Sequence, residues 1–362
     1  MVVHLTLLFF LTFLNYIFRK RTKKNILLVS FLVVFVYWAI RYDYGLDYWN
    51  YYDYFNRGID EWKHGLGEIL FFRGILPLFE KYYQLIIFTS GVIAFTLYYM
   101  VKKNVLPITY WIFFLFFFSV HSFHFNLIST MRSSLAACVL IWGYYLGYFK
   151  GKDRHILYLL FLIAAGLIHS SAFVFIVVPI YFKLFSRFSG KFIFISLCVA
   201  SIFSLFFSQF FFQYLVSTSD LIAEYDQASD SVNESNLIGF TLRSCILIPS
   251  YFICKLYNTT KSPNVKYTCL LAFLFLYIKL LGLDINGRFT AYLYLFFIIA
   301  LCYTYAGSKK SERFIILVPY LCTVWFELYR HYVTMFMLRF SDWQDGNTIL
   351  YKTIFDVWPN LP

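Results

Sequence analysis

The chain has 362 residues, of which 60% are hydrophobic, 24% aromatic and only 14% charged, with a mean hydropathy of +0.66. A soluble domain of that length cannot bury so much apolar surface, so the composition excludes an ordinary globular enzyme and predicts a polytopic membrane protein. The net charge of +12 is scattered through short segments between apolar runs, which argues against a nucleic-acid partner.

A helix that crosses a membrane needs about 20 mainly apolar residues. On that criterion the sequence predicts about twelve spans: 2–18, 25–40, 82–101, 105–121, 132–149, 155–168, 170–186, 191–212, 238–256, 266–283, 288–306 and 313–330. The first run is followed by Arg19, Lys20, Arg21, Lys23 and Lys24, the reverse of a signal peptide's basic-then-apolar order, so it is expected to remain as a span with its N-terminus outside. Nineteen of the 31 Lys and Arg residues fall in six short segments that hold only two acids, Asp153 and Glu312. Basic residues near span ends resist translocation, so these segments mark the cytoplasmic side.

Lys150, Lys152 and Arg154 precede the run from Ile156 to Phe185, and Lys183, Arg187 and Lys191 close it. Both clusters belong inside, which one crossing cannot satisfy. Two short helices meeting near His169, Ser170 and Ser171 do satisfy it, with a serine capping the descending helix and a re-entrant apex. The rest is read as one polytopic domain, 1–362, with large outer segments at 41–81, 212–237 and 331–362. The seven cysteines all sit in apolar runs without CxxC spacing, so neither a disulfide nor a metal site is expected.

The first outer loop begins RYDYGLDYWNYYDYF and continues to GLGEILFF. It offers Arg41, Tyr44, Asp47, Tyr48, Tyr51 and Glu68 at the outer end of a span. Any one tyrosine is better explained by the interfacial aromatic belt. Acids, an arginine and aromatics packed together point instead to sugar recognition, with carboxylates accepting from hydroxyls and rings stacking on pyranose faces. A Glu68 carried into the membrane surface would have its pKa raised by burial and become a plausible base or acid, in competition with Asp47.

Arg132, in STMRSSLAA, and Arg288, in INGRFTA, open apolar runs at the outer face, and Arg243 lies a few residues into another. Each guanidinium offers a planar donor fork matched to phosphate oxygens; the competing reading is snorkelling to headgroups. His169 in GLIHSSAF is placed to donate to a phosphate or sugar hydroxyl, or to satisfy carbonyls at a kink. The acidic stretch from Asp220 to Glu234 is read as a polar lid.

The order of RYDYGLDYWNYYDYF, GLGEILF, MRSSLAACVLIWGYY, GLIHSSAFVFIVVPIYF and INGRFTAYLYLF resembles the EpsG-type proteins, relatives of the Wzy O-antigen and capsule polymerases. Arg132 and Gly143 also fit the Arg-x10-Gly pattern described for outer loops of those polymerases. The resemblance implies an all-α, GT-C-like integral membrane bundle with outer-face loops and short re-entrant or amphipathic helices, in a bacterial inner membrane with its active site facing the periplasm. It implies a glycosyltransferase that joins oligosaccharide repeat units carried on undecaprenyl diphosphate, as donor and as acceptor, with a chain-length regulator as a further partner.

On that resemblance Arg132, Arg288 and Arg41, with Arg243 as a lesser candidate, bind the diphosphate. Asp47 or Glu68 serves as base in an inverting, metal-independent displacement without a cofactor, His169 orients phosphate or acceptor, and Tyr44, Tyr48 and Tyr51 hold glycan. The alternative is a lipid-linked oligosaccharide flippase, which would carry cavity charges on many helices and show two related halves. A membrane acyltransferase and an O-antigen ligase are weaker rivals.

Overall fold

The computed structural model describes residues 2–20, 25–42, 48–57, 69–120, 124, 127–150, 154–203, 244–281, 288–341 and 352–353. These residues are helical apart from short turns and one two-residue antiparallel strand pair. Tyr44, Asp47, Glu68 and Arg243 lie outside them, as does the 212–237 segment.

Helix α1 (Val2–Ile17) lies against α5 (Tyr110–Ser119), and α2 (Asn25–Ala39) against α4 (Tyr82–Asn104). One polar pair links two of these apolar helices: Asn15 Nδ2 donates to Ser30 Oγ at 2.8 Å and so joins α1 to α2. Such hydrogen bonds replace water where none is available.

Helix α6 (Met131–Tyr144) continues through a wide turn to Phe149, and α7 (His155–Ile168) folds back along it. Gly143 and Gly147, one turn apart, make the close approach possible. A Cβ added at Gly143 would sit 2.8 Å from Phe161 Cβ, and one at Gly147 3.0 Å from Tyr158 Cβ. This is the small-xxx-small packing of membrane helices.

After α7 the chain reverses at His169, descends as a 3-10 stretch (Ser170–Val177) and ends in α8 (Val178–Phe185). The hairpin expected from the two basic clusters is therefore present. Helix α7, at 14 residues, is about 21 Å long, short of a hydrocarbon core of about 30 Å. The cap at the reversal is not a serine: His169 Nδ1 accepts from the Ser171 backbone N–H.

Helix α9 (Gly190–Phe203) precedes α10 (Leu247–Thr259) and α11 (Pro263–Leu280). The expected span at 288–306 is two pieces, α12 (Arg288–Ala291) and α13 (Tyr294–Gly307), divided by a turn at Tyr292 and Leu293. Every residue from Tyr292 to Cys302 is buried. The run YLFFIIALC is apolar on all sides and is accordingly covered on all sides, by α5, α10, α11 and α14. Helix α14 (Lys310–Ser341) runs beyond the expected end at Arg330 and contains Pro319.

Among the described residues one helix, α4, is by itself long and apolar enough to cross a membrane, and α1, α2, α7, α9 and α13 are shorter apolar helices. The perimeter is apolar too: Phe13, Leu160, Ile180 and Phe314 are each more than half exposed. Water would penalise that surface by about 25 cal/mol per Å²; lipid does not. The strand pair, β1 (Arg41–Tyr42) with β2 (Lys352–Thr353), brings the C-terminal segment back to the end of α2, Arg41 facing Thr353.

Candidate functional site

Helix α3 (Tyr48–Arg57) carries Tyr48, Tyr51, Tyr52 and Phe55 at the i, i+3, i+4, i+7 spacing of a single helical face. That face packs inward, while Asn50 and Asn56 are exposed. Tyr48 and Tyr51 are therefore buried, on the core side of the helix and not on an open platform. The Tyr82 hydroxyl donates to the Tyr48 carbonyl at 2.9 Å, and the two rings meet edge to face, 5.2 Å apart.

Tyr51 reaches across to α6. Its hydroxyl oxygen accepts from both the backbone N–H and Nε of Arg132, each at 3.3 Å. The Arg132 guanidinium carbon lies 5.2 Å from the centre of the Phe72 ring, 5.6 Å from Tyr51 and 6.0 Å from Tyr54. Phe72 belongs to the wide turn Leu70–Ile75, which also packs on α7. The half-buried arginine is thus held in an aromatic cage whose ring faces attract a cation.

Its position matters as much as its cage. Arg132 occupies the first turn of α6, where the backbone N–H groups already present a partial positive charge and another cation is disfavoured by about 0.3 to 1 kcal/mol. An anion at the same point is favoured by both groups together.

At the hairpin apex a second polar chain forms. The Ser171 backbone N–H donates to His169 Nδ1 at 3.3 Å, so that nitrogen carries no proton and the Ser171 hydroxyl, 2.7 Å away, must donate to it as well. Ser171 Oγ then accepts from the buried Tyr292 hydroxyl at 3.0 Å. The chain Tyr292, Ser171, His169 fixes the neutral tautomer with the proton on Nε2.

The ends of the helices bring these groups together. Helices α6 and α7 are antiparallel neighbours, so the His169 apex lies at the Arg132 end. Helix α12, which opens with Arg288, packs against both α6 and the Ser170–Val177 stretch. Arg41, 2% exposed, stands at the same end on β1, and no direct contact joins it to Arg132 among those described. Tyr51 and Arg132 are expected site residues that the structure brings into direct contact.

The candidates drawn from the sequence include neither His4 nor His124. Both are buried. Trp38 Nε1 donates to His124 Nε2 at 3.1 Å, and His4 Nε2 meets the Phe118 carbonyl at 2.7 Å, closing the C-terminal end of α5. An indole only donates and a carbonyl only accepts, so His124 Nε2 is bare and His4 Nε2 is protonated. The two rings stand edge to face 4.7 Å apart. His4 had a signal, an ionisable residue inside an apolar run, and Tyr292 had none.

A model of the EpsG family matches residues 24–341. No curated protein and no solved structure matches the chain. The matched region contains α6 and its arginine, the His169 hairpin and the α12–α13 break, and the chain belongs to the EpsG family, helical membrane proteins of polysaccharide biosynthesis.

Proposed function

We propose that the chain is a polysaccharide polymerase, a glycosyltransferase that joins oligosaccharide units carried on a polyprenyl diphosphate at the outer face of a bacterial inner membrane. In this reading the apolar stretches form about twelve membrane segments of a GT-C-like bundle. The observation that carries it is Arg132, a caged guanidinium at a helix N-terminus beside the His169 apex.

The donor diphosphate sits against Arg132, with Arg288 and Arg41 contributing charge. As the anomeric bond breaks, negative charge grows on the leaving phosphate, and fixed cations in a site of low dielectric stabilise it more than they stabilise the ground state. His169 donates Nε2–H to a phosphate or acceptor oxygen, held in that tautomer by Ser171 and Tyr292. Asp47 or Glu68 takes the acceptor's hydroxyl proton, the acceptor oxygen displaces lipid diphosphate in one step, and the anomeric configuration inverts.

Tyr48 and Tyr51 enter this reading as residues that position α3 and Arg132; glycan contact falls to other outer-loop aromatics such as Tyr44. A bacterium lacking this gene is expected to display lipid-linked material of one repeat unit, and complementation with Arg132→Ala to leave that phenotype in place with the protein at its normal level. Long polysaccharide in the deletion strain would contradict the assignment.

A further inference from the structure

The end of the molecule opposite Arg132 carries a second cationic site. Helix α1 runs from His4, beside His124, to Tyr16, the turn Phe18–Lys20 after it carries Arg19 at the basic end, and both residues line a recess of about 180 Å³. Trp111 lines it, between Tyr16 and Tyr305. Its ring meets Tyr16 edge to face at 5.6 Å and Tyr305 at 5.7 Å. On each tyrosine an arginine is laid: the Arg19 guanidinium carbon is 3.5 Å from the Tyr16 ring centre and that of Arg313 is 4.9 Å from Tyr305.

Both guanidiniums are half-buried, and both are tethered by a single hydrogen bond, Arg19 Nη1 to the Tyr16 carbonyl and Arg313 Nε to the Ser308 carbonyl, each at 3.2 Å. A guanidinium has five N–H donors. No described carboxylate pairs with either one. Glu312, the acid next to Arg313, bonds Lys255 at 3.0 Å and the Lys309 backbone N–H at 3.0 Å. Lys255's hydrogen bond holds the Glu312 carboxyl below its usual range, so that charge is already matched.

Two guanidinium forks lining one recess, with no counter-charge among the described residues, suit a phosphate. The apolar surroundings decide which kind: Ile108, 49% exposed, lines the recess, and Ile17 and Phe314, each next in sequence to a lining residue, are 53% and 69% exposed. A free anion gains nothing from those side chains, whereas acyl chains cover them. The basic flanks set this end at the cytoplasmic leaflet. We propose that Arg19 and Arg313, around Trp111, bind the headgroup phosphate of an anionic lipid of the inner leaflet, separately from the glycan-bearing lipid at the other end.

The test is native mass spectrometry of the full chain purified in detergent and titrated with phosphatidylglycerol, phosphatidylcholine or inorganic phosphate. The wild type should hold one phosphatidylglycerol in preference to phosphatidylcholine, and inorganic phosphate should not displace it. R19Q/R313Q should weaken retention by about tenfold or more, as loss of charge-assisted hydrogen bonds requires. Each single substitution should weaken it partly, which covers the case of a poorly folded double variant, and K102Q/K103Q, on the same face, should leave it unchanged. Equal retention of both lipids, unaltered binding by R19Q and R313Q, or displacement by inorganic phosphate would each overturn the proposal.

Discussion

Arg132 and Tyr51 are joined twice, because one hydroxyl oxygen serves two donors of the same residue. Tyr51→Phe keeps the ring in the cage and removes the hydroxyl that accepts from Arg132. A hydrogen bond to a charged group is worth about 1.5 to 3 kcal/mol, so polymer formation should slow by roughly tenfold to a hundredfold, with normal protein yield. An unchanged rate in a chain-elongation assay would remove the hydroxyl from the account. The arginine was legible in the sequence as a cation at the head of an apolar run; its partner was not. A run of tyrosines reads equally as belt or platform, and only the i, i+3, i+4, i+7 stripe of α3, once it is known to be a helix, turns Tyr48 and Tyr51 inward. His169 was legible as a residue at a reversal, but the tautomer set by Ser171 and Tyr292 depends on a partner 121 positions away.

Helix packing explains Gly143 without the Arg-x10-Gly pattern. Its neighbour across α7 is the Cβ of Phe161, the stiff end of a side chain, so a larger residue forces the helices apart. Gly143→Leu should cost about 1 to 3 kcal/mol by overpacking and lower the midpoint of thermal unfolding in detergent, while Gly307→Leu, with open space around it, should not. Equal midpoints for the two variants would contradict the close α6–α7 contact. At this scale the sequence located the long apolar helices, since apolar length is a local property, but not α3 or the helical turns at 70–78, which lie in the segment read as an outer loop. It did not show where helices break or overrun. The turn at Tyr292 and Leu293 and the continuation of α14 past Arg330 depend on tertiary contacts, and the β1–β2 pair joins residues more than 300 positions apart, a distance over which periodicity carries no information.

The molecule as a whole has two chemically different ends. One collects Arg41, Arg132, the His169 apex and the α12 helix; the other collects Arg19, Lys102, Lys103, Lys309 and Arg313. The bias of basic residues predicts that the second end is cytoplasmic. In a background with the seven native cysteines replaced, Asn56→Cys should react with an impermeant maleimide in spheroplasts, and Lys309→Cys only after the membrane is opened. The reverse labelling would turn the proposed site toward the wrong compartment. Asp47 and Glu68 lie outside the described residues, so the choice of base rests on chemistry alone.

The most direct measurement is a reconstitution in proteoliposomes with the native repeat unit on its polyprenyl diphosphate. Wild-type protein should build a ladder of products spaced by one repeat unit and release one lipid diphosphate for each bond formed, and Arg132→Ala should build none while remaining folded. Repeat units moved across the bilayer without any ladder, or a full ladder from Arg132→Ala, would contradict the account.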